Sequence, residues 1–420
     1  MRRITRRRLL YLAGGGTLAL IGMRFALPRM FRPGRASALS PEAARFVREC
    51  FTGIDRNRLW DVHAHALGLG AGGTRCWINP EMQSHLHPVK RLQFDLYRAG
   101  VGMESEETAD ADYFARLLDL HDSTNPHGKL VLMAFDQNVG EDGLPRPELS
   151  PIYTPNEYVL RLAAEHPRIE ACVSIHPYRS DALERLERAV EGGARAVKWL
   201  PNAMGIDPAS PHCDAFYRRL ASLRLPLITH AGKEYAVGAE GQQRGNPLLL
   251  RRALDEGVRV VVAHCAALGS FPDLDVGGRR DAESLDLFLR LLGEREYEGT
   301  LFGDISAIAQ INYGARPLRE LLAASELHGR LLYGSDYPMP ALRFLSSPRK
   351  LELHGLLGSR ERKLCAEIFE FNPLLFDFVV KRSLRVEREG RTFRFLPRVF
   401  DTARLFEEVT PALRPSPAAV

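Results

Sequence analysis

No Cys-x-x-Cys pair occurs in this chain of 420 residues, and its six cysteines (Cys50, Cys76, Cys172, Cys213, Cys265 and Cys365) stand far apart. That spacing excludes a thiolate zinc ribbon and a disulfide framework. Cys172 and Cys265 sit in or beside apolar runs, where buried free thiols are expected. No repeat of solenoid period is present. Acidic residues are missing from the first 35 positions, which carry nine arginines, and taking those nine from the formal charge of +5 leaves −4 for the rest. A mildly acidic body carries no basic footprint for nucleic acid, so no nucleic-acid partner is expected. The length suits one large barrel or two average domains.

The arginine-rich start reads as an address. Thr5-Arg6-Arg7-Arg8-Leu9-Leu10 precedes a weakly apolar, Gly/Ala-rich stretch ending at Met23, then Arg24, Arg29, Arg32 and Arg35, then Ala36-Ser37-Ala38. This resembles a twin-arginine export signal with an A-x-A-like cleavage site. The resemblance implies the twin-arginine export machinery as a partner and a periplasmic location. Two alternatives stand beside it: an anchor in the inner membrane facing the periplasm, and a basic cytosolic tail. About 15 apolar-to-neutral residues from Leu9 to Met23 fall short of the ~18 of a membrane-spanning helix. Pro28 and Pro33 set the segment outside the fold. The expected division is 1–38 as signal or anchor, 39–378 as a catalytic domain, and 379–420 as a C-terminal extension.

Eight short apolar runs follow: Leu59–Ala64, Lys129–Phe135, Glu170–Ile175, Ala194–Trp199, Pro226–His230, Val258–His264, Thr300–Ile305 and Leu331–Ser335. Most are continuous rather than alternating, as in parallel strands buried on both faces. Between them, Asp181–Glu191, Asp281–Leu292 and Pro317–Leu327 have helical periodicity. Eight strands with crossover helices predict an α/β fold, a (β/α)₈ TIM barrel. Residues 66–128 exceed a minimal connection and predict a lid or substrate wall after strand 1. A last helix is expected at about Glu361–Phe371. Beyond it, Leu384–Glu389 and Arg391–Phe395 flank Gly390 as a hairpin, and a Pro/Ala-rich tail from Thr410 is expected to be loose.

The chemistry-bearing residues close these runs. His63 and His65 lie two apart on a strand and point the same way. At a barrel strand's end they can chelate one divalent ion, and His230 and Asp336 would complete the set; zinc accepts such nitrogen and oxygen ligands and leaves a position for water in a catalytic site. Lys198 and His264 close two further runs. Barrel strands bring all these ends to one face.

Six segments together resemble the amidohydrolase superfamily, in particular its amidohydrolase-related branch, which includes aminocarboxymuconate-semialdehyde decarboxylase-like enzymes. They are Asp61-Val62-His63-Ala64-His65, Val197-Lys198-Trp199-Leu200-Pro201, Thr229-His230-Ala231-Gly232, Ala263-His264-Cys265, Gly303-Asp304-Ile305-Ser306-Ala307 and Tyr333-Gly334-Ser335-Asp336-Tyr337-Pro338. Asn372-Pro373 and Phe376 add to them. The resemblance implies His63, His65, His230 and Asp336 as ligands of a divalent metal, Zn²⁺ foremost. It implies His264 as the catalytic histidine and Asp336 as a second acceptor for the proton of an activated water. One ion is favoured. In a two-ion alternative a carbamylated Lys198 bridges the ions and His264 binds the second. Asp304 would orient a ligating histidine. His176, Lys198 and Lys233 are candidates for substrate contact, with structural capping the equal alternative for His176.

The expected function is metal-dependent hydrolysis of an amide, ester or lactone-type bond in a small molecule. The alternative is a decarboxylase or hydratase of a small unsaturated carboxylic acid, with Arg75, Lys233 and Arg316 as candidates to hold a carboxylate. A third reading is an envelope binding or scaffold protein with a degenerate site. A homo-oligomer is compatible with all three.

Overall fold

In the computed structural model, residues 36–407 and 409 are described, apart from 104, 238, 240, 278 and 279. The export signal and the loose tail therefore lie outside the described residues, save for Ala36-Ser37-Ala38 at the very start.

The eight predicted strands form one parallel sheet in chain order: β1 (Asp61–His65), β2 (Leu130–Met133), β3 (Ile169–Val173), β4 (Ala194–Trp199), β5 (Leu227–His230), β6 (Val260–Ala263), β7 (Leu301–Asp304) and β8 (Leu331–Leu332). Almost every strand residue is buried, which is why the runs read as unbroken apolar stretches. The sheet closes on itself through the backbone. Val62 N–H donates to Tyr333 O (3.3 Å), His65 N–H to Tyr337 O (2.9 Å) and Asp336 N–H to His63 O (2.7 Å). The Asp61 carboxylate adds a side-chain tie, accepting from Ser335 N–H at 2.8 Å and His63 N–H at 3.1 Å. β1 and β8 abut so closely that a Cβ on Gly334 would meet the His63 Cβ at 2.7 Å. The chain is thus an α/β protein with a TIM barrel.

Residues 66–128 carry three helices. Pro80–Gln83 and Pro88–Val101 lie over the strand C-termini, and Ala109–Thr124 is the crossover helix to β2. The other predicted helices are present as Ala182–Glu191, Ser284–Gly293 and Arg316–Ala323.

The C-terminal region departs from expectation. Helix Ser359–Phe371 is not the last, because Pro373–Ser383 follows and runs through the expected boundary at 378. Asn372 caps it, accepting from Leu374 and Leu375 N–H, with Pro373 at the first helical position. The hairpin is present as Val386–Arg388 paired with Arg391–Phe393. The chain then turns under the barrel where the strands begin. Val399, Phe400, Leu405, Phe406 and Val409 are buried there. Thr402 Oγ1 accepts from Trp60 N–H at 2.7 Å, and Tyr333 N–H donates to Val399 O at 2.9 Å. Residues 397–406 therefore form part of the floor of the barrel.

Candidate active site

The strand C-termini share one end, and the backbone there leaves ordinary β geometry. His264, Cys265 and Ala266 are three consecutive residues with φ between 50° and 54°, while Ala307 (56°) and Asp336 (63°) follow β7 and β8. Left-handed backbone costs a non-glycine residue about 1–2 kcal/mol. Of these residues, His264 and Asp336 line the cavity, so strain is concentrated where the site lies.

His63 Nδ1 lies 2.8 Å from Asp304 Oδ2, and Ser306 Oγ donates to the other Asp304 oxygen. Since that hydroxyl proton is committed, Ser306 Oγ accepts from ring N–H groups. It lies 3.1 Å from His63 Nδ1 and 2.8 Å from His264 Nδ1, which is also 3.1 Å from the Ser306 carbonyl. Both rings thus carry their proton on Nδ1 and present the Nε2 lone pair elsewhere. For His63, Nε2 faces Lys198 Nζ at 3.2 Å and Asp336 Oδ1 at 3.5 Å, and His65 Nε2 lies 3.1 Å from the same Oδ1. The ligand atoms of His63, His65 and Asp336 lie within 4.8 Å of one another.

Burial, then the nearby Lys198, push the His63 ring down to about 3, and burial lowers His65. Burial and the neighbouring His264 hold His230 well below the usual imidazole range. Burial opposes the charge of Asp336, but His264 and the His65 contact outweigh it and hold the carboxyl below the usual range. Burial likewise opposes Asp304, and its pairing with His63 more than restores the charge. Neutral imidazoles beside ionised carboxylates are the states in which these groups ligate metal.

His230 is buried in the same cavity but outside that triad, with its ring 5.5 Å from that of His264. Its Nδ1 is 3.6 Å from Glu234, and its Nε2 has no partner. A second group, His63, His264 and Asp304, also clusters. There His63 and His264 turn their protonated nitrogens toward Asp304 and Ser306, which is outer support for the rings rather than a second opening. Lys198 is buried, and burial lowers its ammonium from the usual value despite Asp304 and Asp336.

Other candidates separate. Lys233 lines the cavity, its Nζ 4.6 Å over the Phe271 ring. His176 does not: its Nε2 meets Met204 O at 3.0 Å and its Nδ1 accepts from Tyr178 N–H at 3.2 Å. Both nitrogens are used by the fold, so the expectation of substrate contact at His176 is corrected to a structural one. Arg75 and Arg316 are exposed and pair with Glu157 and Asp286, away from the cavity. All six cysteines are free and buried.

Three contributors were not read from the sequence. Ser306 lies two residues after Asp304, in the loop that leaves β7, and its hydroxyl sits between the His63 and His264 rings. Glu234 is four residues beyond His230 in a loop; burial raises its carboxyl although Ala236 and Val237 N–H both donate to it. Phe135 stacks on His65 with ring centres 4.7 Å apart.

A family model described as amidohydrolase matches residues 60–354. The chain belongs to this amidohydrolase family. It has no match among curated proteins. Solved structures with similar folds include an uncharacterized TIM-barrel protein from Bordetella bronchiseptica, at 14% identity and TM-score 0.46 over 77% of this chain and 99% of that one. A proposed 2-pyrone-4,6-dicarboxylic acid hydrolase from Pseudomonas putida matches at 17% identity and TM-score 0.42, over 76% and 97%. The 5-carboxyvanillate decarboxylase of Sphingomonas paucimobilis matches at 12% identity and TM-score 0.45, over 84% and 99%.

Proposed function

We propose that this amidohydrolase-family protein is a metal-dependent hydrolase of an ester, lactone or amide bond in a small molecule, with one divalent ion, Zn²⁺ foremost. The carrying observation is the convergence of His63 Nε2, His65 Nε2 and Asp336 Oδ1 on one point of a cavity that also contains His264. The donor set fits a metal: its histidines are neutral, its carboxylate is ionised, and the buried Nε2 of His230 lacks a partner. His63, His65, His230 and Asp336 would hold the ion. When bound, it supplies Lewis acidity and makes water a nucleophile at neutral pH.

The chain's own groups do the rest. Ser306 fixes the His264 ring so that Nε2 is the free base, able to take the proton of the attacking water. A bond forms between the water oxygen and the carbonyl carbon, and the bond from that carbon to the leaving oxygen or nitrogen breaks. The proton held on His264 passes to the leaving atom. Asp336 is a second acceptor for the water proton. Lys198 Nζ, beside His63, is placed to donate to the substrate oxygen that gains charge.

Hydrolysis is favoured over decarboxylation because, of the three basic residues considered for holding a carboxylate, only Lys233 reaches the cavity. The test is a panel of esters, lactones, amides and unsaturated acids run in ¹⁸O-labelled water. Label in the acid product supports hydrolysis. Release of CO₂ with no label in the organic product selects the decarboxylase. We also propose export through Arg6-Arg7, which replacement of both by Lys in a reporter fusion should abolish. Among the described residues no helix is long and apolar enough to cross a membrane.

A further inference from the structure

The cavity above the histidine cluster has a volume of about 330 Å³, at the small end of ~300–1,000 Å³ for small-molecule sites. Its histidines and carboxylates gather at the barrel end, while Tyr97 and Arg98 are polar side chains on the Pro88–Val101 wall. The walls above are mostly apolar, and their apolar side chains come from separate segments: Ile78, Phe94 and Met103 from the connection after β1, Phe135 after β2, Val237 after β5 and Leu345 after β8.

Each lining cation has a protein neighbour. Lys198 Nζ faces His63, Lys233 lies over Phe271, and Arg98 meets Glu106 at 3.1 Å and the Met103 carbonyl at 3.3 Å. The two lining carboxylates, Glu234 and Asp336, are both buried at the barrel end. A carboxylate moved from water into such walls without a partner would lose its hydration with no replacement.

Resting on the hydrolase reading, we propose that the substrate is an ester, lactone or amide whose body beyond the reacting carbonyl is apolar and uncharged, not a di- or tricarboxylate. The carbonyl lies at the histidine cluster and the apolar arm fills the space beneath Pro88–Val101. Here the connection after β1 is a specificity wall.

The test uses the full-length, metal-loaded protein and two matched pairs of probes. Phenyl hexanoate and phenyl hydrogen adipate differ only in a terminal methyl against a terminal carboxylate. Hexanophenone and 6-oxo-6-phenylhexanoate are their hydrolysis-inert ketone counterparts, read by calorimetric binding. The apolar member is expected to win each pair by about tenfold or more, in kcat/KM and in Kd respectively. Ile78→Lys, at a half-buried position, should bring both ratios toward one or reverse them. Val237→Lys is the second variant, and a thermal melt shows that each is folded. Equal or better binding of the carboxylated ketone by the unmodified protein overturns the proposal, whatever the esters do. If neither ester is cleaved while hexanophenone still binds tighter, the apolar pocket stands and the hydrolase reading falls.

Discussion

Where the strands begin, the barrel is filled by its own C-terminus: Phe400 stacks near Tyr333 and packs on Phe378, and Phe406 stacks on Trp60. Where the strands end, neutral histidines face ionised carboxylates across a cavity, and His264, Cys265, Ala266 and Asp336 hold left-handed backbone. At one end aromatic and aliphatic area is hidden. At the other, strain is carried, and buried nitrogens of His65 and His230 are left without partners. Favourable burial at the floor offsets unfavourable geometry at the site, the division expected where strained residues serve chemistry. The two ends should therefore respond oppositely to substitution.

The largest effect is expected at His264. His264→Asn should lose about 10²–10⁴-fold in kcat, the scale of a general acid/base. It should also melt close to the unmodified protein, because Asn, like His, tolerates positive φ. A variant that keeps its activity, or one that unfolds, breaks the contrast. Phe400→Ala at the floor should do the reverse. Truncating a buried Phe costs about 3–5 kcal/mol of stability. Denaturant melts should show that loss, while kcat per folded molecule stays unchanged.

Asp304→Asn lies between the two. It weakens the support of His63, so metal affinity should fall about 10–100-fold. Competition with a chromophoric chelator measures this, and an unchanged affinity removes Asp304 from the site. The smallest effect is a coupling close to zero. Metal removal and Phe400→Ala should lower stability additively within about 0.5 kcal/mol, because the sites sit at opposite ends and share no partner. A larger coupling would mean that floor and site form one unit.

The barrel was legible because parallel strands buried on both faces leave unbroken apolar runs, several of them ending at or beside a residue with chemistry. His63-x-His65 could be read as a pair from strand periodicity alone. Ser306 could not, since a serine in a loop gives no pattern until its hydroxyl is seen between two rings. The cavity walls escaped notice because Ile78, Phe135, Val237 and Leu345 come from four loops with no common spacing. The Pro373–Ser383 helix had a signal, Asn as cap and Pro at the first turn, that was read only as a family marker. Residues 397–406 form short 3₁₀ turns, too irregular to show amphipathic periodicity, so the floor passed for an extension.

The central claim is that His63, His65, His230 and Asp336 hold a single ion while His264 and Lys198 act beside it. Metal per chain, measured for the unmodified protein, His63→Asn, His264→Asn and Lys198→Ala, tests it most directly. One ion is predicted in the unmodified protein and in both His264→Asn and Lys198→Ala, with little or none in His63→Asn. Two ions in the unmodified protein, falling to one or fewer in both His264→Asn and Lys198→Ala, would contradict it and make Lys198 and His264 metal ligands.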